Sequence, residues 1–349
     1  MSFLKYIYAK TFRPIVIMAM GLLALSSQSC SLVYDSMEDC EFGLHIRFRY
    51  DYNMSFGDAF AAQVGRVSVF VFDDEGKFIM SRTEEGEVLS EEDYRMYLDL
   101  PAGKYRIVCW GGCYDESFVH HKLSQGDVPD IASLELLMVR GDDDEVRFED
   151  GRPLRSLFWG EIEALELKDN SVRNEDLNLM KLTNQIKVTM VNRSGDPVSS
   201  DDFEFYMDGA NGRISADDAS LLEDDLLKFH PYYISDTSAP GSKALDLSES
   251  VSVEYSCPRL VMDDTVLRLH AVDRKTGKDV LDFPLVQNLA AYAMSSYETA
   301  DGILHLMDTQ EYLDRADLYN MTFILQDGTW TQVEIQILNW SVRIFNVDI

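Results

Sequence analysis

The sequence predicts an all-β protein, two antiparallel β-sandwiches in tandem behind an N-terminal export segment. Three observations carry this prediction. Short runs alternating apolar and polar residues with period two recur along the chain. No long amphipathic helix alternates with them, which disfavours a parallel α/β sheet. A length of 349 residues exceeds one small core.

Residues 1–13 carry Lys5, Lys10 and Arg13 and no acid, and an apolar run follows at 15–25. That run falls short of the roughly 20 residues a membrane span needs. Ser26, Ser27, Gln28 and Ser29 then lead into Cys30. This is the charged, apolar and small-residue layout of a secretory signal. A cysteine directly after it resembles a bacterial lipobox, in which cleavage precedes a thiol that carries diacylglycerol. Residues 1–29 therefore read as signal peptide, Cys30 as a lipid attachment site and 30–40 as a tether. An ordinary signal cut near the same point is the competing reading.

Alternation begins with Leu44, Ile46, Phe48 and Tyr50 on one face and His45, Arg47 and Arg49 on the other. The apolar run 66–72 reads as the next strand, with a turn at 73–76 and a returning partner at 77–81. Residues 94–100 and 104–110 read as a strand pair joined by Pro101-Ala102-Gly103, with Tyr105, Ile107 and Cys109 on one face. Residues 141–151 are a charged loop and 156–167 a further strand. The polar run after Leu167 marks a domain junction, giving sandwiches at 41–172 and 173–349. In the second, Ile186, Val188 and Met190 alternate with Lys187 and Thr189. Further strands are expected at 203–207, 251–255, 266–272 and 280–285. A short helix is expected at 308–314, capped by Asp308 or Thr309. A closing hairpin is expected at 321–325 and 330–338, before a last segment at 341–349.

The formal charge is −30, and without residues 1–29 it is about −33. Such a body repels nucleic acid and anionic headgroups, so no nucleic-acid partner is expected. The chain lacks GxSxG, HExxH, P-loop and GxGxxG patterns. The acidic runs at 142–145, 217–218, 224–225 and 263–264 lack the DxDxDG calcium-loop spacing. Cysteine and histidine spacings do not fit zinc. His45 and His270 fall on strand positions whose neighbours suggest an outward face, and His120 and His121 fall in a loop. Cys109 falls on a core face. No catalytic residue, metal ligand or cofactor is expected. Cys40, Cys109, Cys113 and Cys257 allow three fully paired disulfide patterns, among which the sequence does not choose.

Several segments in order then resemble one family. They are Cys30 and Cys40, 44–50, Asp58-Ala59-Phe60, 67–73 with Gly76-Lys77, 100–105 running into Trp110-Gly111-Gly112, Phe158-Trp159-Gly160, 182–188 and 337–340. The set is similar to the lipid-anchored base subunits of type V fimbriae of Bacteroidales, the minor-fimbrium anchor family. Residues 208–250 lie outside the resemblance. It implies two transthyretin-like sandwiches and an outer-membrane, cell-surface lipoprotein held by Cys30. It also implies a structural task, joining a fimbrium to the membrane and limiting its length. Partners would be shaft or accessory subunits added strand by strand to an open sheet edge. A surface adhesin or tip subunit binding host protein or glycan is the alternative function. A hydrolase using two carboxylates is a third, and it would need convergent buried carboxylates in a concave pocket.

Overall fold

Leu44, Ile46, Phe48 and Tyr50 turn inward from β1 (Gly43–Tyr52), following the alternation in the sequence. The computed structural model describes residues 43–345 except 115–116, 121–129, 149–150, 193–195, 238–249, 292–295, 299–301, 327–328 and 338–339. Cys30, Cys40, the expected signal peptide and the tether lie outside the described residues.

After a single helical turn, α1 (Phe60–Gln63), β2 (Arg66–Asp73) and β3 (Phe78–Glu85) form the expected hairpin. Asp73 makes the turn, its Oδ1 accepting from the amides of Glu75 and Lys77 at 3.0 and 2.8 Å. Gly76, at φ +79°, supplies the left-handed residue. β4 (Met96–Leu98) and β5 (Gly103–Gly111) lie where expected but do not pair with each other. β4 pairs with β1, and β5 inserts between β2 and β9 (Phe158–Leu167). Three-residue β4 could not satisfy the main chain of nine-residue β5, which ladders along most of its length on both true neighbours.

Three short strands precede β9: β6 (Phe118–His120), β7 (Glu135–Met138) and β8 (Glu145–Val146). The chain turns after Leu167 through Asn170, at φ +54°, into β10 (Val172–Lys181), which runs parallel to β1. The junction expected at 172/173 thus falls at the first residue of a strand of the first sheet. β10 tolerates exposed Arg173, Asn174 and Asp176 because its other flank meets β9 only at Met180 and Lys181.

The first sheet has the order β3-β2-β5-β9-β10-β1-β4. Its two halves join only at that β9–β10 corner, and their inner residues share one core. Tyr50 meets Phe158 edge-on across it, with ring centroids 4.9 Å apart. Gly160 makes the corner possible. A Cβ there would lie 2.4 Å from the Asn178 carbonyl oxygen and 2.6 Å from a Leu177 methyl.

The second half contributes β11 (Thr183–Asn192), β12 (Phe203–Gly209), β13 (Arg213–Ser215), β14 (Leu227–Phe229), β15 (Tyr233–Thr237) and β16 (Ser250–Pro258). β17 (Arg268–Asp273) and β18 (Asp279–Pro284) follow, then α2 (Leu285–Ala291). Next come β19 (Ser296–Glu298), β20 (Leu304–Leu306) and α3 (Thr309–Arg315). The chain closes with β21 (Leu318–Gln326), β22 (Thr329–Ile337) and β23 (Trp340–Phe345). These form a six-stranded sheet, β15-β16-β11-β21-β22-β23, and a five-stranded one, β18-β17-β12-β14-β8. β7 pairs with β13 and β8 with β14, so segments before residue 150 are laddered to strands after residue 210. The sheets are mixed, not purely antiparallel, because β1–β10, β11–β21 and β8–β14 are parallel.

Asp308 caps α3, its Oδ1 accepting from the Glu311 amide at 2.8 Å. The helix is locked by a buried fork, in which Arg259 Nε and Nη2 donate to the Asp314 carboxylate oxygens at 2.8 Å each. Arg259 Nη1 also donates to the Ala219 carbonyl at 2.6 Å.

Two substitutions test this framework by urea denaturation. Gly160→Ala forces a methyl into the corner and should lower unfolding stability by about 1–3 kcal/mol, whereas Gly57→Ala, with no contact under 3.8 Å, should change little. Asp314→Ala leaves a buried guanidinium without its partner and should cost about 3–5 kcal/mol.

Candidate anchoring and assembly sites

Cys30, the one residue to which the sequence assigns a covalent role, lies outside the described residues. The side chains with chemical potential in the folded body are, residue by residue, engaged in structure. Burial pushes the thiols of Cys109 and Cys257 well above the ordinary range, so both are inert free thiols in apolar surroundings. Cys113 is also buried.

His270 does point to the outer face of its sheet, but it is only 8% exposed. Tyr206 on β12 and Asp282 on β18 stand directly opposite it in register. The Tyr206 ring stacks on the imidazole at 4.7 Å and carries Lys228 Nζ at 4.2 Å from its centroid. Asp208 lies 3.5 Å from His270 Nε2; Asp279 and Asp282 lie 3.5 and 3.9 Å from Nδ1. Neither ring nitrogen makes a hydrogen bond among the described residues. Burial pushes the Asp208 carboxyl up, against the pull of His270 and Lys228. Adjacent residues on β17 do not betray this burial, because the covering side chains come from neighbouring strands.

His45 packs against Tyr97 with ring centroids 5.1 Å apart and planes tilted by 41°. The side chains of His120 and His121 lie outside the described residues. His230 Nε2 is 3.1 Å from Glu145 Oε2. Burial, with the Arg147 and Lys228 cations, pushes His230 below its ordinary value.

The acidic runs cap turns and hold arginines. Arg140 grips Asp224 at 2.9 and 3.0 Å, and Arg106 bridges Glu161 and Asp217. Asp218 Oδ1 accepts from the Ser220 amide at 3.0 Å. Asp264 Oδ1 accepts from the amides of Val266 and Leu267 at 2.8 and 3.1 Å. Among the described residues no group of three or more side chains is arranged to hold a metal ion, and no helix is long and apolar enough to cross a membrane.

What the fold does present is sheet edges. β3 and β4 bound the first sheet, β15 and β23 the six-stranded sheet, and β18 and β8 the five-stranded sheet. Among the described residues each has a strand partner on one side only. A cleft of about 670 Å³ runs beside β15, lined by Phe203, Phe205, Ile234, Arg147, Lys228 and Arg274 among others. None of these features is visible in local sequence, since an edge is defined by which strands fail to gain a neighbour.

Comparison with known proteins bears on this geometry. A family model described as Mfa2, fimbrillin-A associated anchor proteins Mfa1 and Mfa2, matches residues 37–345. The chain is 22% identical over 344 residues to the minor fimbrium anchoring subunit Mfa2 of Porphyromonas gingivalis, covering 97% of each. It is similar to the crystal structure of a putative adhesin from Bacteroides thetaiotaomicron, with 30% identity, a TM-score of 0.73, and coverage of 86% of this chain and 97% of the other. The structure of the fimbrial anchor protein Mfa2 from Porphyromonas gingivalis shares the fold, with a TM-score of 0.66 at 16% identity over 88% of this chain and all of that one.

The His230 environment sets a pH dependence. Its value in the folded chain lies below the ordinary 6.5, so the unfolded chain takes up the proton first as pH falls. The stabilisation is complete above that ordinary value and declines below it until the folded group protonates too. The urea midpoint should fall between about pH 7.5 and about pH 5.5, and His230→Gln should flatten that slope. A slope unchanged in the variant would assign the effect to other groups.

Proposed function

The chain belongs to the family of fimbrillin-A associated anchor proteins, and on that premise we propose that it is the lipid-tethered base of a fimbrium. It is a structural subunit and not an enzyme. Acyl chains on Cys30 hold it in the outer membrane with its body at the cell surface. A shaft or accessory subunit joins it by strand addition, and its place at the base limits how long the fimbrium grows. The observation that carries the reading is the family match from residue 37 to 345, which begins just after Cys30.

The physics agrees with a tether at the amino end. Each buried methylene contributes about 0.8 kcal/mol, so two acyl chains attach lastingly where one does not. The twelve residues 31–42 separate Cys30 from β1. At no more than about 3.6 Å per residue they reach at most about 43 Å. A body of this negative charge is repelled by anionic headgroups, so attachment falls to the lipid.

An adhesin role draws on one observation, the putative adhesin that is 30% identical to this chain. Deletion separates the two readings. Loss of an anchor should release fimbriae and lengthen them in electron micrographs, whereas loss of an adhesin should leave them attached and unchanged in length.

The direct test is Cys30→Ala. Palmitate labelling of the protein should vanish, and the protein and its fimbriae should move from the envelope to the medium. Retention of both at the envelope would sink the proposal.

A further inference from the structure

β15 closes one end of the six-stranded sheet and has a main-chain partner, β16, on one side only. Among the described residues no other backbone group bonds to residues 233–236. Four of the other edges, β3, β18, β4 and β8, carry features that discourage an added strand. β3 presents Arg82, Glu84 and Glu85, and β18 presents Asp279 and Asp282. β4 and β8 are only three and two residues long. Charge and brevity of this kind are standard protection for an edge. β15 is five residues long, its one charge, Asp236, is engaged by Ser200, and it leaves Tyr233 49% and Ile234 44% exposed.

The edge is also held in place. Asp236 accepts from the amide and the hydroxyl of Ser200 at 2.8 and 2.9 Å, which fixes β15 to the turn before β12. A strand docking there meets a preformed template, which lowers the ordering cost of binding.

The cleft beside β15 combines apolar and charged side chains. Its apolar lining comes from Phe203, Phe205 and Ile234. Its cations, Arg147, Lys228 and Arg274, face Glu145, Asp201 and Glu204. A cleft in which cations match carboxylates stands apart in a chain with 61 acidic and 31 basic residues. Lys228 is paired with Glu204 at 3.0 Å, and Arg147 lies on Glu145. Arg274 donates through Nε to the Phe203 carbonyl at 2.8 Å and makes no ion pair among the described residues. Its Nη groups make no hydrogen bond to the described residues, although Glu204 is close enough to feel its charge.

We propose that β15 accepts an extended, carboxylate-bearing strand of a fimbrial subunit, laddered along residues 233–236 with an acidic side chain on Arg274. The proposal rests on the anchor reading and names the edge that serves it. Main-chain bonds supply attachment, apolar side chains of the incoming strand cover Tyr233 on one face, and acidic ones on the cleft face, beside Ile234, meet Arg274 and select the partner.

The test uses the full chain and two labelled ten-residue peptides, one alternating valine with glutamate and one alternating valine with lysine. The acidic peptide should bind and weaken with added salt, and the basic one should not bind. Ile234→Glu and Arg274→Glu should each reduce binding at least tenfold, while Ile79→Glu on the β3 edge should not. Equal binding of both peptides, no binding of the acidic one at millimolar concentration, or binding that survives both variants would overturn the proposal. In cells, Ile234→Glu should shed fimbriae while the protein stays in the envelope, whereas Cys30→Ala should release both. Fimbriae retained by Ile234→Glu but shed by Cys30→Ala would remove the edge proposal alone. Fimbriae retained by both would remove the anchor reading with it.

Discussion

The β2–β5 ladder is buried on both faces, and both hydrophobic cores of the body are built against it. Val67, Val69 and Val71, with Ile107 and Cys109, face the core enclosed by the first sheet. Phe70, Phe72, Val108 and Trp110 face the larger core, which they share with Ile186, Val188 and Met190 of β11 and much of the second half. A strand pair with water on neither face has to be apolar at nearly every position. The one buried hydroxyl in β2 shows the constraint, since Ser68 Oγ is met by Thr83 Oγ1 at 2.9 Å.

The excess of acid serves this architecture in a particular way. Arginines that would neutralise the surface are drawn into clamps between segments far apart in the chain. Arg140 holds Asp224, Arg259 holds Asp314 and Arg106 holds Asp217. The carboxylates left over face solvent, which keeps the body soluble and repels anionic surfaces.

Local alternation made several elements legible. β1, β2 with β3, β11 and the Asp308 cap all follow from period two or from capping chemistry within a few residues. Partner choice did not, because it is decided across the chain. Residues 94–100 and 104–110 looked like a hairpin because Pro-Ala-Gly joins them, yet β4 found β1 and β5 found β2 and β9. β10 was hidden by its polar residues, which one open flank permits. α2 was hidden as the end of a strand, since Leu285, Val286 and Leu289 bury one helical face beyond β18. His270 faces outward as expected, and its burial was hidden because Tyr206 and Asp282 cover it from adjacent strands. Cys30 is the opposite case, since the role proposed for it is a matter of processing chemistry that is read from the linear sequence alone.

An anchor is also a mechanical element, and its links can be ranked by energy. Two acyl chains of about fifteen methylenes each contribute about 24 kcal/mol of membrane attachment. A folded domain is held by only about 5–15 kcal/mol. Extraction from the bilayer is therefore not the weak step in a tether of the proposed kind. A load entering at an edge strand crosses β16, β11 and β21 through long ladders, then the shared core and the β2–β5 pair, before it reaches β1 and the tether. Those ladders are joined in series through shared strands and a common core. The first link to yield under tension should then be the subunit contact itself. A base subunit in this position gains nothing from deep pockets, and it needs one rigid edge that a neighbour can complete.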